Sequence, residues 1–230
     1  MSSGAVGATW ALIAAGGSGE RLGIDRPKAF AALNGRPLLA ESLDRLDRCD
    51  LVDAIVVAAP PGWEEPAILL AEELAASKVV ACVTGGATRA ESVAAALAEV
   101  PDEALVVIVH DAARPLVDPV LVERLFGPLG EGFDGAVPVL PVADTLKRVR
   151  DGAVVETVVR EGLVAAQTPQ CFLAPVLRRA FARELAGATD CASLVERVGG
   201  RVAVMDGDPR LLKITTPADL ALVEALLSGA

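Results

Sequence analysis

The chain has 230 residues, with 21 Lys and Arg against 31 Asp and Glu, for a formal net charge of −10. That balance argues against a nucleic-acid binder, which needs a basic face to displace counterions. A hydrophobic content of 53 % argues equally against disorder. Aromatic residues are 3 % and Tyr is absent, so the core has to be built from Ala, Val, Leu and Ile.

Four cysteines, Cys49, Cys82, Cys171 and Cys191, form no CxxC pair, and there is a single His. Neither a zinc site nor a disulfide framework is expected; the thiols are read as buried and reduced. No apolar run approaches the ~20 residues that span a bilayer, and Met1 to Thr9 lacks the basic start of a signal peptide. A cytoplasmic protein without a membrane segment is expected, its length fitting one domain over 1–230.

Short β-rich runs alternate with amphipathic stretches. Thr9–Ala15 reads as the first strand and Pro37–Cys49 as a helix, with Leu38, Leu39, Ser42, Leu43 and Leu46 at helical spacing. Strands follow at Asp53–Ala59, Lys78–Val83, Ala104–Val109 and Gly135–Val139. The helices between them are expected at Pro66–Ala75, Thr88–Ala98 and Asp118–Leu129. The fourth run, ALVVIV, is apolar on both faces, as in a central parallel strand. This rhythm predicts βαβ units and a mostly parallel sheet, with ligands outside the carboxyl ends of the strands.

Asp144–Arg160 breaks the pattern. Two short alternating runs meet at Asp151-Gly152, a strong hairpin signal. A two-stranded arm is marginal by itself, so a partner subunit is the expected support. Helices are then expected at Pro175–Ala186 and Asp190–Val198, a late strand at Arg201–Met205, and a closing helix at Pro217–Leu227 capped by Thr216.

The first strand runs into Ala14-Ala15-Gly16-Gly17-Ser18-Gly19-Glu20-Arg21, and Pro27-Lys28 follows. Glycines let backbone N–H groups approach negative charge. The GxxxxGK[ST] pattern is absent, and GxGxxG fails because position 22 is Leu. In an acidic chain, the group Arg21, Arg26 and Lys28 points instead to a concentrated anion site, for which a triphosphate is the natural occupant.

These segments, with VHDAARP at 109–115, DTLK at 144–147, QTPQCF at 167–172 and LKITTPADL at 212–220, resemble the 2-C-methyl-D-erythritol 4-phosphate cytidylyltransferase family of the non-mevalonate isoprenoid pathway. The resemblance runs nearly end to end. It implies a Rossmann-like doubly wound α/β fold, helices on both faces, and a projecting β-hairpin arm at about 141–160 used for homodimerisation. It implies transfer of CMP from CTP to the acceptor phosphate with release of pyrophosphate, assisted by Mg2+ or another divalent cation. Arg21, Lys28 and Lys213 would be catalytic. Ala14, Ala15, Gly16, Gly17, Gly19, Gly85, Gly86, Ser92 and Asp111 would hold the nucleotide. Asp111, Arg114, Thr145, Arg160, Thr168 and Thr189 would hold the sugar-alcohol phosphate, and Asp111 would also reach the metal. His110 receives no catalytic role, because an ionised phosphate needs no general base. The chain departs from the family pattern at Cys191, Leu211 and Ala29. A ribitol 5-phosphate cytidylyltransferase and a non-catalytic nucleotide-binding homologue are the alternatives.

Overall fold

The computed structural model describes residues 8–229; most of the N-terminal stretch read for a leader lies outside them. β1 (Thr9–Ala14) leads through two single-turn 3-10 helices, Glu20–Leu22 and Lys28–Phe30, to the small ribbon β2 (Ala32–Leu33) and β3 (Arg36–Pro37). There follow α1 (Leu38–Asp47), β4 (Ala54–Ala59), α2 (Glu64–Glu73), β5 (Val79–Thr84), α3 (Arg89–Leu97) and β6 (Val106–Asp111). The chain continues through α4 (Pro119–Arg124), α5 (Gly127–Gly130), β7 (Gly135–Pro141), β8 (Leu146–Arg150), β9 (Ala153–Val158) and β10 (Val164–Ala166). It closes with β11 (Gln170–Leu173), α6 (Ala174–Phe181), α7 (Cys191–Arg197), β12 (Val202–Asp206) and α8 (Pro217–Ser228).

The central sheet runs β7-β11-β6-β1-β4-β5, with β10 and β12 also paired to β7. The pairs β1–β4, β1–β6, β4–β5 and β12–β7 are parallel, while β10 and β11 run antiparallel to their neighbours. Alternation along the strands explains the two-sided core. Ala11, Ile13, Ile55 and Val57 face one way and pack with Leu39, Leu43, Leu70 and Leu121 of α1, α2 and α4. Leu12, Val56, Val107 and Val109 face the other way, onto Val93, Leu177 and Val195 of α3, α6 and α7. A sheet covered on both faces needs strands that are apolar throughout, which accounts for the runs AIVVAA and VVIV. A third cluster joins Leu33 and Leu38 to Ile214 and Val223 of α8. It anchors the segment that carries Lys213.

Three expectations need correction. Asp118–Leu129 is two helices, because Pro128 has no N–H to continue the ladder; Leu125 and Phe126 instead donate to carbonyls three residues back. The helix expected at Pro175–Ala186 ends at Phe181, and Gly187 adopts a left-handed conformation shortly after it. QTPQCF contains an inserted antiparallel strand, β11, that the alternation did not reveal. The Asp151-Gly152 hairpin does form: both residues have positive φ, 50° and 77°, as a type I′ turn requires. Among the described residues β8 and β9 pair only with each other. No helix of the described residues is long and apolar enough to cross a membrane.

Candidate active site

The carboxyl ends of β1, β5 and β6 open into one cleft of about 480 Å³. Its first wall is the glycine loop. Gly19 has φ +85°, and a Cβ there would sit 2.6 Å from the Arg26 carbonyl oxygen, so no other residue fits without backbone movement. The Lys28 amide donates to the Gly17 carbonyl at 2.9 Å, closing the loop. The Lys28 side chain then crosses Gly17, whose added Cβ would lie 3.6 Å from Lys28 Cε.

The second wall is the start of α3. Thr88 and Glu91 form a reciprocal capping box. The Gly86 amide donates to Ser92 Oγ at 3.1 Å, and that hydroxyl donates to the Thr88 carbonyl at 3.0 Å. Gly85 packs directly behind: a Cβ would meet Ser92 Oγ at 2.9 Å and the Ala59 carbonyl at 3.0 Å. This end of the cleft therefore offers backbone groups and short polar side chains.

The floor is Asp111, the last residue of β6. Arg89 Nε donates to its Oδ1 at 2.6 Å and Lys213 Nζ to its Oδ2 at 2.7 Å. The carboxylate side chain is 8 % exposed, against 24 % for Arg89 and 43 % for Lys213. Burial acts to raise the Asp111 pKa, but Arg89 and Lys213 outweigh it and hold the carboxyl well below its usual range. Burial likewise opposes the charge on Arg89, and Asp111 more than restores it. Burial, then the neighbouring Lys213 and Arg21 charges, lower the Lys28 pKa below its ordinary value.

Beneath the floor, the Asp111 amide donates to Thr168 Oγ1 at 3.0 Å, and that oxygen lies 3.3 Å from His110 Nδ1. His110 Nε2 lies 3.0 Å from the Arg114 carbonyl. A neutral imidazole protonated on Nε2 satisfies all three contacts, with the Thr168 hydroxyl donating to Nδ1. Burial pushes the His110 pKa down to about 4, in keeping with a neutral ring. This chain of bonds secures the backbone on either side of Asp111 and leaves His110 outside the cleft lining.

Of the residues anticipated from sequence, Ala14, Ala15, Gly16, Gly17, Arg21, Lys28, Gly86, Ser92, Asp111 and Lys213 line this one cleft. Gly19 and Gly85 are buried behind it. Arg114 and Thr168 support its floor from below. Arg114 donates through Nη1 to the Leu211 carbonyl at 2.6 Å. Thr189 lines a small adjoining recess together with Arg89 and Cys191. Thr145 and Arg160 lie outside the cleft at the base of the hairpin, where Arg160 Nη1 donates to the Ala143 carbonyl.

The departures from the family pattern find local explanations. Leu211 is fully buried in the core, and its backbone carbonyl, not its side chain, engages Arg114. Ala29 is buried within the 3-10 turn after Pro27. Cys191 opens α7, where its Sγ accepts from Arg89 Nη1 at 3.4 Å. Burial pushes that thiol up to about 11, so it is neutral. All four cysteines are free.

Sequence reasoning passed over Arg89. In Thr-Arg-Ala-Glu it reads as an ordinary first-turn cation beside a capping box. The available signal was its place directly after the Gly85-Gly86 turn, at the helix end that faces the ligand side of the sheet. Asp190 was also left without a role; it caps α7 through Ser193 and accepts from Gln170 Nε2 at 2.9 Å.

Among the described residues, no group of three or more His, Cys, Asp or Glu is arranged to hold a metal ion. Asp111 and Glu20 are the acids on the cleft lining. Each Asp111 oxygen spends one lone-pair site on a cation and keeps another. The residues therefore fit a divalent cation bound at one protein point and otherwise by ligand oxygens.

A doubly wound sheet with a glycine loop and clustered cations at its strand ends defines a nucleotidyltransferase-class α/β protein. Residues 9–229 match the profile of the 2-C-methyl-D-erythritol 4-phosphate cytidylyltransferase (IspD) family, and the chain belongs to that family. It is 47 % identical over 219 residues to the enzyme of that name from Frankia casuarinae, covering 95 % of this chain and 80 % of the relative. It is 47 % identical over 222 residues to the one from Nocardia farcinica, covering 96 % and 94 %. The crystal structure of the Thermus thermophilus enzyme superposes with a TM-score of 0.78 at 38 % identity, covering 95 % and 98 %.

Proposed function

We propose that this protein transfers the cytidylyl group of CTP to the phosphate of 2-C-methyl-D-erythritol 4-phosphate and releases pyrophosphate. The observation that carries the reading is the gathering of Arg21 and Lys28, from the first loop, with Lys213, from near the other end of the chain, on one cleft. The acceptor phosphate is already ionised near neutral pH, so its oxygen attacks the α-phosphorus without a base. The new P–O bond forms as the bond to the β-phosphate bridging oxygen breaks, and the electron pair leaves on pyrophosphate. The obstacle is repulsion between anions, and the remedy is preorganised positive charge.

In this reading Lys28 and Lys213 stabilise the α-phosphate as charge builds on it, and Arg21 holds the departing β- and γ-phosphates. Gly85, Gly86 and Ser92 read the cytosine edge, while Ala14, Ala15 and Gly16 frame base and ribose. Asp111 meets the acceptor at the cleft floor, Arg114 and Thr168 hold that floor from below, and Thr189 borders it from the adjoining recess. Thr145 and Arg160 lie away from their own cleft, so they serve the acceptor site of a second copy, reached by the β8–β9 arm of a homodimer. Asp111, together with the phosphates, would hold a divalent cation, which would supply further charge neutralisation. His110 takes no part in proton transfer.

Purified protein should form the cytidine diphosphate adduct and pyrophosphate from CTP, Mg2+ and methylerythritol phosphate. Ribitol 5-phosphate run in parallel is the competing acceptor, and a clear preference for it would overturn the choice of acceptor. Failure to release pyrophosphate with either would overturn the enzymatic reading.

A further inference from the structure

Asp111 is bracketed by two cations, and only one of them is free to work on substrate. Both line the cleft, Lys213 being the more exposed of the pair; the Arg89 side chain is tied down by Cys191 Sγ and by Asp111 itself. The trio carries a net charge of +1. If Lys213 moves its ammonium onto a phosphate, Arg89 stays as the one protein counter-ion of Asp111, whether or not a divalent cation also reaches that carboxylate, and a buried carboxylate stripped of protein partners is disfavoured. Arg89 Nε, at 2.6 Å on the opposite carboxylate oxygen, remains in place.

We propose that Arg89 is a positioning residue: it holds Asp111 neutralised so that Lys213 can leave that carboxylate for the nucleotide phosphates. The inference rests on the cytidylyl-transfer reading of Lys213. The surroundings of Arg89 suit the task. The neutral Cys191 thiol accepts one N–H without claiming the charge, so the guanidinium remains committed to Asp111. Arg89 Nη2 is buried with no partner, so the side chain is held for its Nε contact despite an unsatisfied donor.

The test is a double-mutant cycle on the full-length enzyme with CTP, Mg2+ and methylerythritol phosphate. Wild-type turnover establishes the underlying reaction separately. Arg89→Gln should lower kcat roughly ten- to a hundredfold while the KM for CTP changes by less than about threefold. Arg89→Lys, which keeps the positive charge, should recover most of that loss. Lys213→Ala should lower kcat by about 10²–10³, and adding Arg89→Gln to it should cost little more, because Arg89 acts through Lys213. Losses that multiply in the double variant would overturn the proposal, as would a loss confined to the KM for CTP. Should Arg89→Gln fail to fold, the cycle is run with Arg89→Lys, whose milder loss must also vanish when Lys213 is absent.

Discussion

The single histidine predicts an acid-sensitive fold whose sensitivity can be removed by one substitution. Folded His110 titrates at about 4 because burial disfavours the imidazolium, against an ordinary value of 6.5. Between those values the unfolded chain binds a proton that the folded chain refuses, so stability rises with pH across that window. The contribution is complete above about pH 6.5 and is lost as pH falls toward 4. At about 1.4 kcal/mol for each unit, the whole window is worth about 3 kcal/mol, and the span from pH 7 to pH 5 about 2 kcal/mol. Carboxylates, with unfolded values near 4, contribute little above pH 5. Urea unfolding followed by the fluorescence of Trp10 and Trp63, at fixed protein concentration and from pH 7 to pH 5, measures the slope. His110→Gln should be less stable at pH 7, having lost a fitted ring with its contacts to Arg114 and Thr168. Its pH slope over this range should be nearly flat. Equal slopes for the two proteins would refute the reasoning, because the missing proton would then not be that of a buried neutral imidazole.

Five other perturbations probe the cleft and the arm. Lys28→Ala should lower kcat by about 10²–10³, the usual loss for one preorganised charge; unaltered pyrophosphate release would remove that lysine from the mechanism. Because burial, Lys213 and Arg21 lower the Lys28 pKa, kcat/KM for CTP should decline on the alkaline side below the ordinary lysine value, and Arg21→Gln should move that decline upward. Gly19→Ala forces a Cβ against the Arg26 carbonyl at positive φ and should destabilise by about 1–3 kcal/mol in thermal melts, with a raised KM for CTP. Arg160→Ala should raise the acceptor KM far more than the CTP KM, and replacing 146–158 by a short turn should yield monomers on sedimentation.

Much of this architecture is legible in the chain because alternation and burial coincide. Strands buried on both faces need long apolar runs, and β4 throughout, with β1 after Thr9 and β6 before His110, supplies them; a type I′ turn demands two positive φ values, and Asp151-Gly152 announces them. Other parts are hidden for physical reasons. β11 is four residues long, follows a Pro, and starts with Gln170, whose amide is satisfied by Asp190 and the Cys191 backbone. A strand that short, opened by a buried polar residue, is too brief for any periodicity to be read. Leu211–Ile214 stays outside the sheet and is held by Arg114 and by the Ile214 amide donating to the Ala113 carbonyl. The cations Arg21 and Lys28 could be picked out as charges set beside glycines, whereas Lys213 came only through the family resemblance. Arg89 could not, since its significance lies in a contact with a residue 22 positions away.

That contact bears on how an acidic protein handles two phosphate-bearing ligands. With a net charge of −10 the chain repels anions at long range, but this repulsion is screened beyond about 8 Å at physiological salt. What the phosphates meet at close quarters is the cleft, where Arg21 and Lys28 carry two positive charges, the Arg89–Asp111–Lys213 trio adds one more, and Glu20 takes one away. If Asp111 were replaced by a neutral residue, the cleft would gain charge, yet Lys213 would lose its anchor, and three neighbouring cations would push one another toward solvent. The carboxylate thus costs some attraction and sets where the remaining charge sits. For a reaction whose barrier is the in-line approach of one anion to another, the location of positive charge matters more than its total, because only charge placed where negative charge develops lowers the barrier.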